Sequence, residues 1–413
     1  MPRRLRLFEA FGLELEYMVA RRGDFAVAPV VDRLMIARTG EPSSDCRLGR
    51  CEASNELAAH VFELKVPRPV SDIERAEQAF VGAVKQANRI LAAEDCTLLP
   101  GPMHPTMDPA RESGIWPHEG REIYEAYDRI FDVHRHGWFN LQSCHINLPF
   151  ANDHEFGLLH AAVILLLPFL PAIAAGSPFK EGRVTGWRDT RLDVYRNNQK
   201  RFPLIAGTIV PEPVFTEAEY REKILAPMMR QVAPANDEGI FQEGWLNSRG
   251  AIARFHRGAI EIRVLDVQEC PLADMAIASL VVATLRALVD LHGDDLLRFA
   301  RQSSTARRKR QLLACARHGL AAKLDSLPDV REAFGLSGRV RDARGFWRHI
   351  LQKFSGEALP PRYAEVIEFI LRRGNLADRL LAFHKQHGSA KSFPTMMRRM
   401  AESLAENTSF ESD

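Results

Sequence analysis

The sequence predicts an α+β fold: a mainly antiparallel sheet, helices packed behind it, and a helical C-terminal part. Three observations carry that reading. Short runs in which apolar and polar residues alternate recur up to about Asp290, as in sheets with two unlike faces. Stretches with helical apolar stripes lie between them. Beyond about Asp290 the β-like runs stop and helical patterns dominate. Residues 1–290 are therefore read as one domain, and residues 291–413 as a helical region packed on it.

In chain order, the expected strands are Glu14–Val19, Val61–Val66, His145–Pro149 and Ala259–Leu265. Ser71–Leu91 reads as a helix: Ser71 caps it, Glu74 completes a capping box, and Ile73, Ala76, Phe80, Val84, Ala87 and Leu91 form one stripe. Gly101–Pro117 and Gly176–Asn198 read as loops. The apolar run Gly157–Ala175 approaches the length of a bilayer span. Pro168 and Pro171 break it and His160 sits inside it, so a buried core helix ending near Leu167 is expected. Arg362–Arg373 is a helix with Pro361 near its start and Gly374 just past its end. The polar tail Glu406–Asp413 is expected to fray.

Composition narrows the function classes. The chain has 413 residues, enough for a large core, and its 46% hydrophobic and 26% charged content is that of an ordinary globular protein. A net charge of +2 gives no general argument for nucleic acid or an anionic membrane as partner. The basic run Arg307–Arg310 reads as a solvated helix face. The six cysteines are sparse and irregular, and no second pair joins Cys46 and Cys51 to complete a zinc site. Reduced thiols in a cytoplasm fit this usage, and no hydrophobic run follows Met1–Arg4 to suggest a signal peptide. Oligomeric state is not readable.

The chemistry begins with two glutamates one residue apart, in Gly12-Leu13-Glu14-Leu15-Glu16-Tyr17. In a strand both point to one face, and neighbouring carboxylates repel unless a cation sits between them or one stays protonated. Such oxygen ligands suit Mg²⁺ or Mn²⁺; the same pattern also fits an edge strand with a solvated acidic face. Glu63 lies inside an apolar run, and Glu56, seven residues earlier, is expected at a turn from which it curls back. His145 and Asn147 share a face. So do Glu261 and Arg263, either as a cross-strand ion pair or as a metal-binding carboxylate beside a guanidinium that grips phosphate. The loop Arg183–Arg196 is dense in arginine and could hold a substrate carboxylate. Together these segments gather carboxylates, an imidazole and a guanidinium on one sheet face, as a two- or three-metal site facing a polyphosphate would. No P-loop GxxxxGK[ST] occurs, and no GxGxxG follows a strand.

At this point the chain resembles the glutamate–cysteine ligases, within the glutamine synthetase-like carboxylate–amine ligases. The resemblance runs from about Phe8 to Pro271. It is carried by Gly12–Glu16, by Glu56 and Glu63 followed by Pro67, by His145-Ile146-Asn147, by Thr185–Arg188 with Tyr195 beyond, and above all by Ile260–Val267. It implies a curved sheet lined with three Mg²⁺ positions, held among Glu14, Glu16, Glu56, Glu63, His145 and Glu261. It implies that Arg263 meets the transferred phosphate of ATP and is catalytic, that Arg188 holds an amino-acid carboxylate, and that Tyr195 and Asn147 contact substrate. The reaction implied joins glutamate, through its γ-carboxylate, to cysteine or another amine by way of an acyl phosphate, with no nucleophilic side chain. Two features depart from the pattern: Lys65 replaces a small polar residue and adds a cation on the Glu63 face, and Asp193–Tyr195 is out of register. A Mg²⁺-dependent phosphotransferase or hydrolase on the same fold, or a non-catalytic ligand-binding relative, fits the same acidic face.

Overall fold

In the computed structural model, which describes residues 4–236, 239–388 and 392–412, strand β1 (Gly12–Arg21) is the spine of the sheet. Chain order continues with β2 (Asp45–Leu48), β3 (Cys51–Asn55), β4 (Val61–Lys65), β5 (Cys96–Leu99) and β6 (Ser143–Pro149). A separate two-stranded ribbon follows, β7 (Phe179–Lys180) and β8 (Arg183–Val184), and then β9 (Ala251–Arg254) and β10 (Ala259–Asp266). The main sheet is open, with order β2-β3-β4-β1-β6-β10-β9, and β5 pairs with the second half of β1. Every strand pair in it is antiparallel.

The alternation places the two faces as expected. Leu13, Leu15 and Tyr17 are fully buried, while Glu14 and Glu16 face the other way. Behind the apolar face, helix Ile73–Leu91 packs on β3, β4 and β5, and helix Asp153–Leu166 packs on β10. Phe80 is wholly buried under the first of these; truncating it to alanine would cost about 3–5 kcal/mol. The cap of that helix is Asp72, not Ser71: its carboxylate accepts from the Glu74 and Arg75 amides. An aspartate one residue later satisfies the same orphan N–H groups with a full charge.

The other face is divided. Met18 and Ala20, further along β1, join a second apolar cluster with Leu380, Phe383, Met396 and Met400 from helices Leu376–His387 and Ser392–Glu406. The C-terminal helices therefore cover the far half of this face and leave the half bearing Glu14 and Glu16 open. The change of character near Asp290 falls inside helix Pro271–His292, and one continuous core runs from Phe11 to Leu404.

Among the described residues, two helical segments have the length and apolarity of a span, Asp153–Ala174 and Pro271–His292; they are core helices, 100% and 78% buried over their most apolar windows. The first passes into a 3-10 turn at Leu167, just before Pro168, as expected. Two other expectations are corrected. Arg308 in the basic run is completely buried and ion-paired to Asp329 at 2.6 Å. The tail does not fray: Phe410 is buried, its amide donates to Glu269 and its carbonyl accepts from Arg379. Asp413 lies outside the described residues. All six cysteines are free and buried.

Candidate active site

Strand register assembles the site. Across one row, Glu52 faces Lys65, Lys65 faces Glu14, and Glu14 faces His145. Across the next, Ser54 faces Glu63 and Glu63 faces Glu16. Asn147 lies opposite both Gly12 and Glu261. Gly12 is needed here, because a Cβ would come within 2.9 Å of the Asn147 Cβ. Glu56 follows β3 in the turn to β4, where its amide donates to the Val61 carbonyl at 3.3 Å. That turn brings it back beside Glu16 and Glu63, although in one straight strand it would point away.

These groups line a cavity of about 900 Å³. Ligand atoms of Glu14, Glu63 and His145 lie within 4.8 Å of one another, as do those of Glu16, Glu56 and Glu63. Two carboxylate-rich sets sharing Glu63 fit hard divalent cations such as Mg²⁺ or Mn²⁺. The protonation states agree with crowded acids. Burial, then repulsion from Glu14, pushes Glu63 up to about 8. Burial, with Glu16 and Glu63 alongside, pushes Glu56 well above the usual carboxylate range. Burial opposes charge on His145, yet Glu14, 2.9 Å from its Nδ1, and Glu16 hold its pKa above the ordinary value. Lys65 adds one positive charge, 3.6 Å from both Glu63 and Glu52.

Glu261 stands on the same wall but outside both ligand sets. Its oxygens face guanidinium groups, Arg254 Nε at 2.8 Å and Arg263 Nε at 3.1 Å. Burial alone would raise its pKa; Arg263 and Arg254 pull it down to about 2. This is the ion-pair alternative read from the sequence. A shift of pairing between Ile262 and Leu265 marks a bulge at Arg263, whose Nε makes no hydrogen bond. Burial disfavours its charge, but Tyr195, Glu261, Glu16 and Glu14 keep it firmly protonated. Arg4, Arg68, Arg254, His256 and Arg257 line the same cavity and make its other walls basic.

A second cavity, of about 440 Å³, shares Glu16, Glu56 and Arg263 with the first. Its wall is aromatic: Tyr124, Tyr127 and Phe131 from helix Arg121–Phe131, Trp138 from the short helix His136–Phe139, and Trp245. None of these was singled out in the sequence. Their only signal is the Tyr124, Tyr127, Phe131 stripe, which looks like any buried helix face. Tyr195 lines this cavity with its hydroxyl unpartnered. Asn147 lines the first and donates to Glu14 at 3.0 Å.

Arg188 lines neither cavity. Its Nε donates to Asp378 at 2.6 Å, and its amide donates to the Ala316 carbonyl, which fastens the loop to the C-terminal helices. This corrects the role expected for it. Arg191 faces the second cavity instead; its Nε donates to buried Asp266 at 2.5 Å and one Nη approaches the Arg263 carbonyl at 3.4 Å. The loop read across Gly176–Asn198 contains β7, β8 and a helical turn, Thr190–Tyr195, which carries Arg191 and Tyr195.

An open antiparallel sheet with an acidic, basic-walled cavity on one face belongs to a class that comparison with known proteins defines. The family model for glutamate–cysteine ligase family 2 matches residues 10–395, and the chain belongs to that family. An uncharacterised protein of Archaeoglobus fulgidus is 36% identical over 70% of this chain and 79% of its own length. A Streptomyces coelicolor protein provisionally named glutamate–cysteine ligase 2 is 26% identical over 78% of this chain and 80% of its own. Among solved structures, the Francisella tularensis glutamate–cysteine ligase in complex with AMP superposes with a TM-score of 0.55 at 12% identity, covering 99% of this chain and 91% of that one. A bifunctional glutathione synthetase from Pasteurella multocida gives 0.62 at 14% identity, covering 96% and 53%. These two likenesses establish a shared fold.

Proposed function

We propose that this protein is an ATP-dependent carboxylate–amine ligase that activates the γ-carboxylate of glutamate as an acyl phosphate and passes it to an amine. The observation that carries this is the meeting of two unlike cavities at Glu16, Glu56 and Arg263. The first suits a metal-bound polyphosphate; the second suits organic substrates; the transferring phosphoryl group belongs at their junction. Family membership and the AMP complex of the Francisella enzyme support the nucleotide assignment.

Glu14, Glu63 and His145 would hold one divalent cation, and Glu16, Glu56 and Glu63 another. A divalent cation held there would neutralise phosphate charge. Arg263 donates to the transferring phosphoryl oxygens, where charge develops. Glu261 and Arg254 hold that guanidinium in place. Arg191 takes the role first assigned to Arg188 and offers a donor to the second carboxylate of the acid.

The test is mass spectrometry of a reaction containing protein, ATP, Mg²⁺, glutamate and a pool of amines. The expected products are ADP, phosphate and a γ-glutamyl amide. Release of phosphate in equal amount without any amide would assign the hydrolase alternative.

A further inference from the structure

We infer that Lys65 is a nucleotide-binding residue that ties metal loading to nucleotide: its ammonium rests beside Glu63 in the free protein and turns to a phosphate oxygen when a metal-bound polyphosphate enters. This rests on the ligase reading above and adds a residue to it.

Strand register sets Lys65 among the acids. It follows Glu63 by two residues on β4 and so shares its face. Its neighbours across the sheet are Glu52 on β3 and Glu14 on β1. The ammonium lies 3.6 Å from an oxygen of Glu63 and 3.6 Å from one of Glu52. It donates to the Ser54 hydroxyl at 3.1 Å, and that hydroxyl donates to Glu63 at 3.3 Å. Among the described residues, Lys65 is the one lysine or arginine ion-paired to a member of either ligand set. The member it touches is Glu63, which the two sets share.

A fixed positive charge at that place acts in opposite directions on the two ligands. A divalent ion arriving alone must break the contact with Glu63 and then sit beside a like charge, which weakens its binding. A polyphosphate in the same cavity is attracted by that charge. The side chain can answer it, because its stem is flexible, its head carries three donors, and it is 30% exposed on the cavity wall. Its remaining carboxylate partner, Glu52, is part-exposed, and such a pair holds the ammonium only weakly. Arg254 and Arg263 are placed differently, since Glu261 holds the Nε of each. Lys65 is thus the cation of this wall that is free to move from carboxylate to phosphate. Coupling between two ligands is reciprocal, so a residue that penalises the ion alone and favours the ion with nucleotide raises the affinity of each for the protein that holds the other.

Calorimetry measures binding of Mn²⁺ alone, and of a non-hydrolysable ATP analogue in saturating Mn²⁺, to wild type, Lys65→Met, Lys65→Gln and Lys65→Arg. The two neutral variants should bind Mn²⁺ alone threefold or more tightly than wild type and the Mn²⁺–analogue tenfold or more weakly. Lys65→Arg, which keeps the charge, should lie closer to wild type than to the neutral variants on both measures. The opposed signs are the signature, because a damaged fold would weaken both. Neutral variants that bind the Mn²⁺–analogue as tightly as wild type, or that bind Mn²⁺ alone no more tightly, would overturn this inference, leave the ligase reading standing and make Lys65 a rim ion pair. A wild-type protein that binds no Mn²⁺–analogue at all would remove the ligase reading, and this inference with it.

Discussion

Glu63→Gln is expected to make the metal-free protein more stable and the enzyme inactive. Glu63 is the shared member of both ligand sets, and its side chain is only 12% exposed. Its carboxyl is lifted from the ordinary 4.5 to about 8, by burial first and by the Glu14 charge second. The sign follows directly. A carboxyl with a raised folded-state pKa supports the fold fully below 4.5 and withdraws that support as pH rises through about 8. At pH 7 the unfolded chain has released this proton while the fold retains it. That gap of about 2.5 pH units amounts to about 3 kcal/mol against folding at about 1.4 kcal/mol per unit.

Glutamine removes the proton requirement and keeps an oxygen to accept from the Ser54 hydroxyl, now 3.3 Å from Glu63. It gives up the 3.6 Å contact with Lys65, worth less than about 1 kcal/mol because Glu63 is mostly uncharged at pH 7. The net gain expected at pH 7 is about 1–3 kcal/mol, falling below about 1 kcal/mol at pH 5, only half a unit above the unfolded value of 4.5. Urea unfolding of wild type and variant at both pH values, in chelator and then in Mn²⁺ or Mg²⁺, measures it. The ions should stabilise the wild type and do little for the variant. A variant less stable than wild type at pH 7 in chelator, or one stabilised by the metal as much as wild type, would refute the crowding argument.

Arg263→Lys keeps the charge and loses the planar fork, so kcat should fall about 10²–10³-fold while Mg²⁺–ATP affinity changes little; unchanged turnover would make Arg263 structural. Arg188→Ala should lower stability by about 1–3 kcal/mol through the stranded Asp378 and leave the half-saturating concentration of the acid unchanged. A large rise in that concentration would restore Arg188 to the site. Gly12→Ala should cost about 1–3 kcal/mol by forcing β1 and β6 apart at Asn147, and should weaken metal-induced stabilisation measured by thermal unfolding; a variant as stable and as metal-responsive as wild type would show that the strands absorb the methyl group.

The strands that carry Glu14, Glu16, Glu63, His145, Glu261 and Arg263 were legible because a period of two assigns faces before any pairing is known. Which face each residue shares is local information. β2, β3, β5 and β9 went unread: each is 4–5 residues long, a length at which a period of two is barely displayed, and β4, equally short, was legible only through Glu63 set inside its apolar run. Partners across long separations were not legible either. Arg188 and Arg191 stand three residues apart in one arginine-rich loop, and both look fit to hold a carboxylate. The fold separates them through Asp378 and Asp266, which lie 190 and 75 residues further along the chain. The aromatic wall shows the same limit. Tyr124, Tyr127 and Phe131 have the spacing of a core stripe, and a helix facing a cavity has the same period as a helix facing other side chains. What distinguishes the two is the density of neighbours, which is a property of the packed molecule. The acidic cluster, built from adjacent strands in regular register, could therefore be anticipated from the chain. The second cavity, built from a helix, two short helical turns and a loop drawn from distant stretches, emerges only when those pieces meet.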